Sequence, residues 1–214
     1  MRRLMTGVLA AGVSVLFLAA PAAAAAAATA DGLPRGFLKY ESEQARKPFG
    51  KAEISWRVSD KRTEVATLDL CGARASLLSQ AESVRSVLAD GDADYHYREQ
   101  VAVFADDQAA TGAMAKLRKA VRGCAKVKTS AGSTAYRGQK LPIGDEALQV
   151  SRYNLKSENA YGERSVVVRR GSAVIVYAEV SLYTSNKPKA SDFRSQVRDA
   201  KAMAVKVCDL PGVC

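Results

Sequence analysis

Residues 162–183, GERSVVVRRGSAVIVYAEVSLY, narrow the available folds more than any other stretch of this chain. Dense β-branched runs lie on both sides of Gly171-Ser172, and a glycine there supplies the positive φ that a two-residue hairpin turn demands. Taking those two residues as the turn sets Arg164 opposite Glu179, Val166 opposite Tyr177 and Val168 opposite Ile175. The opposite charges meet across the strands, which supports this register. The alternate positions Val167, Val174, Val176, Ala178, Val180 and Leu182 make a second, almost wholly apolar face that helices should cover.

Other segments supply partners for this hairpin. In AEISWRVSD, Ile54, Trp56 and Val58 alternate as in a strand with one buried side. Residues 74–81 read as a short helix, followed by a strand at 83–89, a turn at 90–94 and a strand at 95–105; one helix over 74–89 is the alternative. The later strand puts Tyr95, Tyr97, Glu99, Val101 and Val103 on one side, and His96, Arg98, Gln100, Ala102 and Phe104 on the other. A helix is expected in DDQAATGAMAKLRKAVRGC, capped by Asp106 or Asp107, with Ala110, Met114, Leu117 and Val121 on its buried face and Gly123 as its stop. Residues 128–146 are polar and Gly-rich and read as a flexible segment. ALQVSRYN reads as a strand. The last helix, SDFRSQVRDAKAMAVKVC, should be capped by Ser191 and bury Phe193, Val197, Ala200, Ala204 and Val207. The expected class is α+β: an antiparallel sheet with helices packed on one face, held by two disulfides.

The N-terminus sets the compartment expected for this unit. Arg2 and Arg3 precede an apolar run from Leu4 to Ala20, and small-x-small sites end at Ala28-Thr29-Ala30, the pattern of a secretory signal peptide over 1–30. No second apolar stretch follows, so no membrane span is expected, and no cysteine follows the run to carry a lipid. Residues 31–60 form an irregular lead-in with the first strand, and 61–214 one α+β domain. Losing Arg2 and Arg3 would lower the formal charge of +10 by two, leaving a basic protein. Such a charge favours anionic partners outside the cell. The basic residues are scattered without aromatic interleaving, which argues against nucleic acid.

Four cysteines in an exported chain read as two bridges. Cys71–Cys124 with Cys208–Cys214 is the preferred pairing, because the Pro211-Gly212 turn brings the last two together. Loop entropy gives the short bridge about 2.4 kcal/mol and the long one about 4.2 kcal/mol. With one histidine and no paired short-spaced cysteines, a zinc site is not expected.

EQVAVF leading into a helix that ends at a cysteine, the Gly144-Asp145-Glu146-Ala147 turn before a strand, the VVVRRGSAVIVY hairpin and a final helix ending in cysteine together resemble the PknH-like extracellular sensor domains of actinobacteria. The likeness spans about residues 65–214. It implies an α+β domain with its first and second, and its third and fourth, cysteines bridged, and a cleft for an unidentified ligand. It implies no catalytic residues.

His96 as a catalytic base would need an orienting acid and a nucleophile, and no G-x-S-x-G elbow occurs, so no catalytic residue is assigned. DGDADY from Asp90 starts like a calcium loop but has Tyr95 where glycine is needed and Val101 where a glutamate is needed, so no metal is assigned. Tyr95, Tyr97, Tyr177 and Tyr183, with Arg164 and Glu179, could line a groove suited to a glycan or peptide. The expected function is a secreted, non-enzymatic, sensor-like binding domain without cofactor, taking a small molecule or envelope polymer on that face. The competing reading is a secreted protein that binds or inhibits another macromolecule through its basic surface and the 128–146 segment. The oligomeric state is left open.

Overall fold

The computed structural model describes residues 32–46, 53–63, 78–91, 95–129, 132–156, 160–185 and 187–214. Among these, eight strands form one sheet: β1 (Ile54–Ser59), β2 (Ser83–Gly91), β3 (Tyr95–Val103), β4 (Lys126–Thr129), β5 (Gly132–Leu141), β6 (Glu146–Asn154), β7 (Ala160–Arg170) and β8 (Ala173–Thr184). Their order is β1-β2-β3-β8-β7-β6-β5-β4, and every neighbouring pair is antiparallel. Two meanders thus meet where β8 returns beside β3. Helix α1 (Asp107–Gly123) links the meanders, and α2 (Arg194–Lys206) follows β8. The class is α+β, as expected.

The central hairpin has the expected register, with Arg164 opposite Glu179, Val166 opposite Tyr177 and Val168 opposite Ile175. Gly171 has φ 53°, and a Cβ there would lie 1.7 Å from the Val213 carbonyl oxygen. Only glycine allows the C-terminal loop to come this close, and Ser172 N–H then donates to that same oxygen at 2.9 Å. The loop is closed by the Cys208–Cys214 disulfide, Cα atoms 5.1 Å apart, the one bridge seen whole among the described residues. Cys124 is not a free thiol. Its expected bridge to Cys71 lies outside the described residues, as Cys71 does.

Four expectations are corrected. The helices cover opposite faces of the sheet, not one. Val174, Val176 and Ala178 of β8 join Met114, Leu117 and Val121 of α1 in one core, while Ala173, Ile175 and Tyr177 join Phe193, Ala200 and Met203 around α2 in another. Because β8 is apolar on both sides, one helical layer leaves half of it in water, at about 1.5–3 kcal/mol for each large side chain.

The segment at 128–146, expected to be flexible, contains a strand: its residues 132–141 form β5, paired with β6 from Thr134–Asn154 to Leu141–Ala147 and with β4 near its start. Its residues are half-buried or exposed apart from the buried Ala135, without the alternation that marks a half-buried strand, so the backbone ladder defines it.

The lead-in is irregular, consisting of two 3-10 turns at Lys39–Glu41 and Glu43–Ala45, yet Leu33, Phe37, Leu38 and Tyr40 are buried in the α2-side core. A division at residue 61 therefore cuts through one packed unit. Finally, the helix ends differ. Asp106 caps α1 by accepting from Ala109 N–H at 2.7 Å, worth about 1 kcal/mol, but the helix runs through Gly123 rather than stopping before it. Ser191 lies within a 3-10 turn, Ala190–Phe193, and does not cap α2. Of the expected helix at 74–81, residues 78–80 are turn and bend, and 74–77 lie outside the described residues.

Candidate functional site

The expected tyrosine groove is closed. Tyr95, Tyr97 and Tyr177 are 4%, 1% and 0% exposed, because α2 and the lead-in cover this face of β3 and β8. The Tyr40 ring meets Tyr97 edge-on at 4.8 Å and stacks over Trp56 at 6.1 Å. Arg164 and Glu179 do pair across the hairpin at 2.6 Å, and Gln196 of α2 donates to the second Glu179 oxygen at 3.3 Å. Tyr183 lies in β8, with its side chain outside the described residues.

Two buried carboxylates organise the cover. Glu99 accepts from the Tyr177 hydroxyl at 2.6 Å, from Lys39 N–H at 3.0 Å and from Tyr40 N–H at 2.7 Å. Asp199 of α2 accepts from the Tyr40 hydroxyl and from Lys39 Nζ, both at 2.6 Å. Burial pushes the Glu99 carboxyl above the usual range despite these donors. Burial also acts on Asp199, but hydrogen bonds from Lys39, Tyr40 and Arg198 outweigh it and hold that carboxyl low. Such a network orders chain segments and keeps Tyr95, Tyr97 and Tyr177 out of reach of a ligand.

On the opposite face, His96 Nδ1 lies 2.8 Å from Asp90 Oδ1, which also accepts from Arg98 at 2.6 Å. Burial would raise the Asp90 carboxyl, but Arg98 and His96 lower it more. Asp90 is thereby engaged by Arg98 and His96; the remaining acids of the DGDADY turn lie outside the described residues. No cluster of three or more His, Cys, Asp or Glu side chains suited to a metal occurs among the described residues.

A different concavity is open. It lies between the C-terminal half of α1 and β5, with a volume of about 350 Å³. Val121 of α1 and Leu148 of β6 form an apolar floor, flanked by Tyr136. Gly138 of β5 faces that floor, where a Cβ would lie 3.0 Å from Val121 Cγ1 and 3.4 Å from a Leu148 methyl, so its lack of a side chain lets α1 and β5 close together. The rim carries Arg118, Arg122, Arg137 and Lys140. Arg118 is tied to Glu146, whereas Arg122, Arg137 and Lys140 are exposed and have no acidic partner among the described residues. The C-terminal carbonyls of α1 add roughly half a negative charge nearby, which the Arg122 and Lys140 side chains outweigh. An anion with some apolar or planar surface suits such a site.

Sequence reasoning assigned none of these residues to a site. The signal was present as the run YRGQK, an aromatic and two cations around a glycine, in the segment read as flexible. The competing macromolecular reading covers that segment and the basic surface without locating a groove.

No family model matches the chain, and no curated protein matches it. Among solved structures, it is similar to the extracellular domain of PknH from Mycobacterium tuberculosis, with a TM-score of 0.42 and 13% sequence identity over 75% of this chain and 81% of that chain. This is a distant similarity of fold.

Proposed function

We propose that this chain is an exported, non-enzymatic binding module that takes an anionic ligand in the cationic groove between α1 and β5. One observation carries the reading: Arg122 and Lys140 flank an apolar floor, with Arg137 beside them on the opposite face of β5, and none of the three has an acidic partner among the described residues. Unpaired cations over apolar surface favour an anion whose body displaces water from the floor. The buried tyrosine network supports the groove over the tyrosine face. Export rests on the leader pattern at 1–30 and on the C-terminal disulfide, since such bridges persist in oxidising compartments. Among the described residues no helix is long and apolar enough to cross a membrane. A second crosslink, Cys71–Cys124, belongs to the same proposal and would anchor the end of α1 beside the groove.

Thermal-shift and calorimetric titration with poly-L-glutamate, polygalacturonate and polyphosphate at low ionic strength tests the function. A saturating ligand at a hundred times its Kd adds about 2.7 kcal/mol of stability. Binding should weaken with salt and vanish in the combined Arg122→Ala, Arg137→Ala, Lys140→Ala variant. Absence of binding to every polyanion, or equal binding by the variant, overturns the reading.

A further inference from the structure

Resting on that groove, we infer that its partner is an extended acidic peptide, which adds as a further strand to the edge of β5 that no strand covers among the described residues.

The edge is open where the groove lies. β4 pairs with β5 only between Gly132 and Ala135. Beyond it, Tyr136 N–H donates outward to the Ala125 carbonyl at 3.3 Å. Successive residues of a strand direct their backbone groups to opposite edges, and the β5–β6 register runs without a shift from Thr134 to Leu141. Gly138 and Lys140 therefore turn their N–H and C=O groups to the same outer edge as Tyr136. Both residues are exposed, and no strand lies beside them among the described residues.

An unpaired edge of this kind binds an incoming strand through its backbone, while the flanking side chains choose which strand. Here the choice is electrostatic. Lys140 shares the α1 face with Tyr136 and Gly138, near Arg122, while Arg137 faces the other side. An acidic strand thus meets a cation on either face. A second copy of β5 would bring lysine and arginine against their own kind, which is how natural edges resist self-pairing. The same charges that exclude the chain's own edge admit a carboxylate-bearing one. A non-peptide polyanion would satisfy the cations but leave the two N–H and two C=O groups of Gly138 and Lys140 to water. The backbone geometry therefore favours a peptide.

The probe is a capped hexapeptide of alternating glutamate and valine, titrated against the whole exported protein beside a copy methylated on its backbone nitrogens and beside polygalacturonate. Losing two backbone hydrogen bonds should weaken the methylated peptide about tenfold. Lys140→Pro deletes both the charge and an outward N–H at an edge position where proline is tolerated, and should cost several-fold more affinity than Lys140→Ala, with its melting temperature confirming the fold. Amide chemical shifts of Gly138 and Lys140 should move on binding. If both peptides and polygalacturonate bind alike and Lys140→Pro equals Lys140→Ala, strand addition is overturned while the anion groove stands. If none binds, or binding ignores Arg122 and Arg137, both fall. Should Lys140→Pro fail to fold, the methylated peptide still decides.

Discussion

Tyr177 of β8 donates its hydroxyl to Glu99 of neighbouring β3 at 2.6 Å, and the other oxygen of that carboxylate receives the backbone N–H of Tyr40 at 2.7 Å. A single buried acid thus joins two adjacent strands to a segment 59 residues earlier in the chain. Tyr177→Phe removes one donor from a carboxylate that water does not reach. It should destabilise the protein by about 1–3 kcal/mol and leave polyanion binding unchanged, as read by chemical denaturation and titration. A change in affinity without a change in stability would restore the tyrosine face as a binding surface.

The lead-in acts as part of the core. Leu33, Phe37, Leu38 and Tyr40 are buried, and at about 1.5–3 kcal/mol each their burial reaches roughly 6–12 kcal/mol as an upper bound, comparable to the whole stability of a domain. Glu41 is gripped by Arg85 at 2.7 and 2.9 Å, and Arg85 also donates to Asp60 at 2.7 Å. Protein truncated before residue 47 should therefore unfold or bind a hydrophobic dye strongly. A truncated protein with the parent melting temperature would contradict this packing.

The C-terminal staple holds Leu210 and Val213 in the α2-side core and presents the Val213 carbonyl to Ser172. Replacing Cys208 and Cys214 together by serine should cost about 2 kcal/mol, measured by denaturant titration. The polyanion groove lies at the other helix, on the opposite face, and its affinity should be unaffected.

Stability should fall in acid. Glu41, Asp90, Asp145 and Asp199 are all held below the ordinary carboxylate range: burial opposes ionisation at each, but donors such as Arg85, Arg98, Gly171 N–H and Lys39 outweigh it. The unfolded chain binds protons at these groups more readily than the native one, so their contribution is present above about pH 4 and is lost as pH falls through their lowered native values. Glu99 is raised by burial and works in the opposite sense, with its contribution present at low pH and lost as pH climbs through its native value. Four groups against one give a melting temperature that drops from about pH 5 downward. In Asp199→Asn that drop should be shallower. A melting temperature independent of pH over this range would contradict the assigned partners.

Local chemistry accounts for what was legible. The Gly171-Ser172 turn, period-two alternation and the Arg164–Glu179 pair set the central register, because each involves residues that meet across a short turn. Helical spacing and the Asp106 cap marked α1, and the Pro211-Gly212 turn marked the Cys208–Cys214 bridge. The tyrosines were recognised as one face of β3 and β8, but whether that face met water was not a local property. Its cover comes from a lead-in without periodicity and from α2, both placed by long-range contacts to Glu99 and Asp199. β5 was missed for the related reason that a strand near the sheet edge is defined by its neighbour's backbone rather than by its own alternation.

From its residues alone, then, the chain determined the central hairpin, the strands β1, β2, β3 and β6, its two long helices and the pairing over short turns, since hydrogen-bonding geometry and side-chain periodicity act between near neighbours. Tertiary structure decided which faces were buried, sending α1 and α2 to opposite sides of a sheet apolar on both. It also left Arg122 and Lys140 gathered at an open groove, with Arg137 on the other face of the same edge. Charges separated by many residues in sequence become one site only when α1 and β5 are folded against each other, with Gly138 leaving room for Val121 between them.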